Sequence, residues 1–127
     1  IGPNGHGQLT KMVNQLCIAS LIQGLSEGVA LGKKSNLNMA KVLDAISGGA
    51  AQSWQMDNRF KTMVNGEFDF GFAVDLMIKD LKIALKQTNT LGLKSTASKS
   101  VLKNYEKLSK LGDGRLDTSS LIKLLET

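Results

Sequence analysis

Three polar residues near the start of the chain have the types and spacing for chemistry on a small anion: Lys11, Asn14 and Gln15. On a helix, residues at i, i+3 and i+4 share a face, with Cβ atoms roughly 5–6 Å apart. The spacing therefore groups one amine and two amides on a segment whose other residues are mostly apolar. A helix N-terminus carries partial positive charge and unpaired N–H groups, so it attracts a carboxylate. The same field disfavours a protonated amine. Lys11 read in the first helical turn, and buried there, would have its pKa lowered toward the range of a general acid/base. Asn14 and Gln15 would then hold substrate oxygens without adding charge. The alternative is a surface lysine beside two solvated amides, and spacing alone leaves both open.

The elements that must position these residues can be read along the chain. Gly2 to Gly7 is turn-forming. From Gln8, residues Leu9, Met12, Val13, Leu16, Ala19, Ile22, Leu25 and Val29 follow helical spacing, predicting a helix to about Gly32. Cys17, Ile18, Leu21 and Ala30 make that helix apolar on most sides, as expected of a central or interfacial helix, and Cys17 is expected in the core. Glu27 is expected to cap or pack. Asn38 is a plausible N-cap for a helix over 39–46. A further helix over about 51–64 ends at the C-cap pair Asn65-Gly66, with Trp54, Met56 and Phe60 packed against the core. An aromatic loop, 67–72, leads into a second long helix, from Val74 to about Leu91. Thr96 or Ser98 is expected to cap the next helix, and Asp117 or Thr118 the last, over 121–125.

Composition narrows the class. The 127 residues suit one domain with a usable core. Hydrophobic residues at 42%, aromatics at 5% and one proline, without strand-like alternation, favour helices. The net charge of +5 arises largely from lysines of the last third, Lys94, Lys99, Lys103, Lys107 and Lys110. These read as a solvated face rather than a nucleic-acid surface, because no aromatics interleave with them for base stacking. One cysteine excludes an internal disulfide and a cysteine zinc cluster, and fits a reducing, cytoplasmic setting. His6 is the sole histidine, which argues against a histidine metal site or a Ser-His-Asp triad. Placing Gly114 as the glycine of a calcium loop puts Asp113 and Asp117 at ligand positions. Ser109, Leu111 and Ser120 then stand where strong oxygen ligands are needed, so no metal site is read. No apolar run is long enough to span a membrane. The chain opens at Ile1 without a methionine, as expected of a domain cut from a longer protein.

Gly5-His6-Gly7-Gln8-Leu9-Thr10-Lys11-Met12-Val13-Asn14-Gln15 resembles the catalytic motif of the β-hydroxyacid dehydrogenases, which opens their helical C-terminal domain. Lys79-Asp80-Leu81-Lys82-Ile83-Ala84 resembles a second signature of the same family. The two occur in the family's order, about 70 residues apart. The resemblance implies an all-α domain of about six helices with two long ones, similar to the C-terminal domain of 6-phosphogluconate dehydrogenase-like enzymes, over residues 1–127. It implies a preceding Rossmann domain, whose Gly-x-Gly-x-x-Gly loop is not in this sequence.

By the same resemblance, Lys11 is catalytic, Asn14 and Gln15 orient the substrate, Phe72 lines its pocket, Asp80 borders it, and Lys79 reaches the cofactor. The cofactor is NAD or NADP, held mainly by the other domain. The substrate is a small β-hydroxy acid or its semialdehyde, of the 3-hydroxyisobutyrate or tartronate semialdehyde type. Partners implied are the Rossmann domain, a small carboxylate and a second copy in a homodimer built on the long first helix. Several relatives carry Asn where Gln15 stands. Gln is also found in reductases of tartronate semialdehyde, which inclines the reading that way. A non-catalytic helical dimerisation or interaction domain is the alternative.

Overall fold

The computed structural model describes residues 2–126; Ile1, at which the chain opens, and Thr127 lie outside the described residues. The fold is all-α. Five α-helices, α1 (His6–Lys34), α2 (Met39–Ile46), α3 (Trp54–Asn65), α4 (Val74–Thr90) and α5 (Thr96–Leu108), precede a final 3-10 helix (Thr118–Leu125). A π turn (Ser109–Asp113) extends α5 and is broken at Gly112, whose φ is 95°. Among the described residues the sole β pairing is an isolated bridge between Ala73 and Asp117.

The first helix is the scaffold. It packs on α3, α4, α5 and the 3-10 helix. Its buried residues Gln15, Ala19, Ile22, Ser26 and Val29 advance by alternating steps of four and three, so a single stripe enters the core. The apolar character of its other sides marks exposed positions: Val13, Leu21 and Leu31 face solvent. Cys17 is also exposed rather than in the core, because it stands two residues off the buried stripe. Glu27 accepts a hydrogen bond from Gln23 one turn earlier.

Ala19 and Ile22 join Val74, Met77, Leu81, Val101, Tyr105, Leu108 and Leu121 in one core cluster. One end of α1 lies further along, where Val29 and Ala30 meet Met56, Phe60, Met63, Phe68 and Ile122 in a second. Leu121 and Ile122 thus place the 3-10 helix in both.

The local signals are largely realised. Asn38 caps α2 by accepting from Lys41 N–H, and Gly66 closes α3 in a left-handed conformation. Ser53, not a residue near Ala51, starts α3, because its hydroxyl accepts from Met56 N–H. Neither Thr96 nor Ser98 caps α5: Ser95 holds the N-cap position without a side-chain bond, Thr96 is the first helical residue, and Ser98 is buried inside the helix. Asp117 caps the last helix, which starts at Thr118 and is wound as 3-10. Lysines 94, 99, 103, 107 and 110 are all exposed. Among the described residues no helix is long and apolar enough to cross a membrane.

Candidate active site

The start of α1, the first half of α4, the aromatic loop and the start of α3 converge on one region. The first helix begins at His6, with Gly5 at φ 90° as its N-cap. Lys11 is therefore its sixth residue and stands in the second turn, beyond the strongest part of the helix-terminus field. Its side chain is 69% exposed, and the amine lies 3.9 Å from Asp80 Oδ1. The burial expected from the sequence is absent from this chain, because nothing here covers the outer side of α1 at that point. A carboxylate partner takes its place.

Two hydrogen bonds extend this ion pair. Gln15, only 7% exposed, donates from Nε2 to Asp80 Oδ2 at 2.9 Å. Its Oε1 accepts from Asn14 Nδ2 at 2.9 Å. Both ends of the Gln15 amide are thus engaged within the protein. Asn14, Gln15, Asp80 and Lys11 form one polar line across α1 and α4, in which Asp80 is fixed by a neutral donor on one oxygen and faces a cation with the other.

Two cavities open on this line. One, of about 280 Å³, is walled by Gln8, Lys11, Met12, Gln15, Asp80 and Ile83. The other, of about 360 Å³, lies toward the aromatic loop; Lys11, Asn14, Gln15, Trp54, Gln55, Arg59 and Phe72 are among its walls. Lys11 and Gln15 border both. The structure brings Lys11, Asn14, Gln15 and Phe72 together around the second cavity and Asp80 around the first. Lys79, one residue from Asp80 and about 100° further round α4, is exposed and lines neither. Among the described residues it makes no ion pair or side-chain hydrogen bond.

Residues not singled out for chemistry in the sequence also appear here. Trp54, read as a packing residue, is 60% exposed and contributes to the cavity wall. It lies off the buried stripe of α3, which Met56, Phe60 and Met63 carry into the core. The Arg59 guanidinium lies 5.1 Å from the Trp54 ring centroid and 5.0 Å from that of Phe70. Its Nε donates to Asp117 Oδ2 at 3.0 Å.

Asp117 is the hub of this wall and is 1% exposed. Its Oδ1 accepts from Phe72 N–H at 2.9 Å. Its Oδ2 also accepts from Ser119 N–H at 3.0 Å and from the Ser119 hydroxyl. The chain around it reinforces the clamp: Asp117 N–H donates to Phe68 C=O and Thr118 N–H to Phe72 C=O, both at 2.9 Å. Gly71, at φ +71°, sits so close that a Cβ there would lie 2.1 Å from Asp117 Oδ1. The loop bearing Phe72 is therefore pinned from two sides. In the sequence Asp117 was legible as a helix cap; its partners stand 45 and 58 residues away, and no local pattern announces them.

Comparison with known proteins identifies the family. A family model described as the NAD-binding domain of NADP-dependent 3-hydroxyisobutyrate dehydrogenase matches residues 5–125. An uncharacterised oxidoreductase of Shewanella frigidimarina is 51% identical over 126 residues, covering 99% of this chain and 43% of that protein. The 2-hydroxy-3-oxopropionate reductase of Escherichia coli is 30% identical, with the same coverage of both chains. A crystal structure of 3-hydroxyisobutyrate dehydrogenase from Salmonella typhimurium superposes with a TM-score of 0.83 at 26% identity, over 91% of this chain and 40% of that one. The chain thus spans about two fifths of the length of the relatives it matches. With both signatures present, the fold shared and nearly every residue matched, the chain belongs to the NAD-binding domain family of NADP-dependent 3-hydroxyisobutyrate dehydrogenase.

Proposed function

We propose that this chain is the helical C-terminal domain of an NAD(P)-dependent oxidoreductase acting on a small β-hydroxy acid or its semialdehyde, and that a Rossmann domain precedes it. The observation that carries the proposal is the hydrogen-bonded line Asn14–Gln15–Asp80 with the Lys11 amine at its end, opening on a cavity walled by Phe72. An exposed lysine at the edge of a cleft needs a lid to work as an acid/base catalyst, and the missing three fifths of a relative's length is room enough for one.

A dinucleotide would meet Lys79 on the solvent side of α4, outside both cavities. Lys79 is exposed, and its ammonium makes no ion pair among the described residues, leaving it available to a phosphate. When bound, the nicotinamide accepts or supplies the hydride. Lys11 hydrogen-bonds the reacting oxygen, taking its proton in oxidation and returning it in reduction, and balances charge that develops there. Asp80 holds the Lys11 amine in place. Gln15 spends both ends of its amide on Asp80 and Asn14, so it positions them, and Asn14 is the amide left to meet substrate. Phe72 closes the pocket on the apolar side of the substrate carbon chain.

Homodimerisation and a cytoplasmic setting belong to the same proposal. The exposed Leu21 and Leu31 of α1 offer apolar area to a second copy, and the single unpaired thiol of Cys17 suits a reducing compartment.

The test is steady-state kinetics on the complete protein. Lys11→Ala lowers kcat by about 10²–10⁴-fold, the usual contribution of a positioned acid/base, while cofactor affinity stays near that of the wild type. Lys79→Ala, in the same assay, raises the cofactor KM instead. Turnover of Lys11→Ala close to the wild-type rate would remove Lys11 from this role and leave the helical interaction domain as the better account.

A further inference from the structure

Gln55 is the second residue of α3 and is 9% exposed. It lines the same cavity as Lys11, Asn14 and Phe72. Its Oε1 is buried without a hydrogen-bond partner, and among the described residues its side chain makes no hydrogen bond at all. A buried amide oxygen left unpaired costs about 1–3 kcal/mol, so its retention at a cavity wall needs a reason. The neighbouring polar groups do not supply a partner. Gln15 is committed to Asn14 and Asp80, and Asp117 to Arg59, Phe72 and Ser119.

Resting on the function proposed above, we infer that Gln55 is a specificity residue that pairs with a second hydroxyl on the substrate, so that the enzyme's substrates are dihydroxy acids rather than alkyl-substituted hydroxy acids. A hydroxyl both donates and accepts, which matches the two unspent functions of an amide. A methyl group in its place leaves both unpaired. An ammonium there is disfavoured, because the cavity wall already carries Lys11 and Arg59 against the one buried carboxylate of Asp117. The size of the space is suitable: a cavity of about 360 Å³ accommodates a three- or four-carbon acid at the low end of ligand-site volumes.

The experiment compares kcat/KM of the complete protein for glycerate, 3-hydroxyisobutyrate and serine, in the wild type and in Gln55→Met, which keeps the side-chain volume while deleting the amide. The wild type favours glycerate over 3-hydroxyisobutyrate by on the order of 10- to 100-fold, the discrimination that one buried hydrogen-bonding group provides, and favours it over serine as well. Gln55→Met brings the glycerate to 3-hydroxyisobutyrate ratio to within about threefold, chiefly by lowering the value for glycerate. Thermal unfolding of the variant checks that it is folded, and Gln55→Glu provides a second folded variant, expected to lower kcat/KM for both acids by placing a like charge near the substrate carboxylate. A wild-type enzyme that prefers 3-hydroxyisobutyrate or serine, or a Gln55→Met variant that keeps the wild-type ratio, overturns the assignment while leaving the dehydrogenase reading intact. Absence of turnover on all three acids, with Lys11→Ala no different, overturns both.

Discussion

Asp117 offers the sharpest test of how the site wall is held. Truncation to alanine removes one carboxylate that serves Arg59 Nε, Phe72 N–H, Ser119 N–H and the Ser119 hydroxyl. Removing one partner of a buried ion pair typically costs about 3–5 kcal/mol, most of it the penalty for the charge left behind. Here the lower part of that range applies, because the Arg59 side chain retains 18% of its exposure and can recruit water. The Ser119 amide is worse placed: Ser119 is 1% exposed, and a buried N–H without a partner costs about 1–3 kcal/mol. Phe72 is more open at 38%, so its amide can be rehydrated. The expected loss for Asp117→Ala is thus about 3–4 kcal/mol. At roughly 3–5 °C per kcal/mol for a domain of this size, that is a fall in Tm of about 10–20 °C.

Asp117→Asn separates charge from geometry. Its one oxygen turns to the Arg59 and Ser119 donors, its NH2 faces the more open Phe72 N–H, and the charge is lost, so about half the loss is expected. Urea unfolding followed by far-UV circular dichroism measures both, with the slope m near that of the wild type. In the complete enzyme the same variants raise KM for the acid more than they lower kcat, because the Phe72 wall loosens while Lys11 is untouched. A loss under about 1 kcal/mol for Asp117→Ala, or an Asn variant less stable than the Ala variant, would refute the view that this carboxylate is the hub of the wall.

Two further outcomes follow from the same region. Gly71→Ala combines a left-handed φ of +71° with a Cβ that would press on Asp117, so a loss of about 2–4 kcal/mol is expected; Gly66→Ala, at the same φ but with nothing within 4 Å of its Cβ, loses only about 1–2 kcal/mol, and equal losses in denaturant titrations would deny the steric part. Tyr105 is fully buried and donates to Thr118 C=O at 3.1 Å, and burial, with the Asp117 charge nearby, pushes its phenol far above the usual tyrosine range. The folded state therefore holds this proton more tightly than the unfolded chain: its contribution is complete below pH about 10 and falls by up to about 1.4 kcal/mol per pH unit above it. Tyr105→Phe removes that alkaline slope in stability measured between pH 9 and 11, at a cost of about 1 kcal/mol at neutral pH for the lost hydrogen bond.

How much of this was legible from the sequence depends on the range of the forces involved. Helix α2 and the C-terminal end of α3 are written locally, in Asn38 with Lys41 and in Gly66 beyond the last turn. Such caps involve groups three or four residues apart, so a single chain displays them. The start of α5 is different. Thr96 and Ser98 have the right chemistry for a cap, yet Ser98 is drawn into the core by the stripe that it shares with Val101, Tyr105 and Leu108. Burial outweighs the value of a cap there. The same competition governs Cys17 and Trp54. Both are apolar enough for the interior, but α1 and α3 each bury a single face, and these two residues lie off it.

The site divides along the same line. Lys11, Asn14 and Gln15 were grouped by helix periodicity, and Asp80 was reached only through the resemblance of its surroundings to a known signature. What periodicity could not convey is that Gln15 would spend its amide on Asp80, 65 residues away, or that the amine would point outward with a carboxylate beside it. A lysine on a helix has one address along the chain and several in space. Its burial depends on what lies opposite, and here the opposing surface is not supplied by residues 2–126. The clamp of Asp117 on Phe72 shows the complementary case. Both residues are internal to this domain, so the hydrogen bonds that brace the pocket wall are all made within this chain. On the proposed function, such a site pairs a braced pocket wall with a Lys11 amine still open to solvent. Closure over the amine, rather than reshaping of the wall, is then the step that a substrate or a neighbouring domain has to bring about.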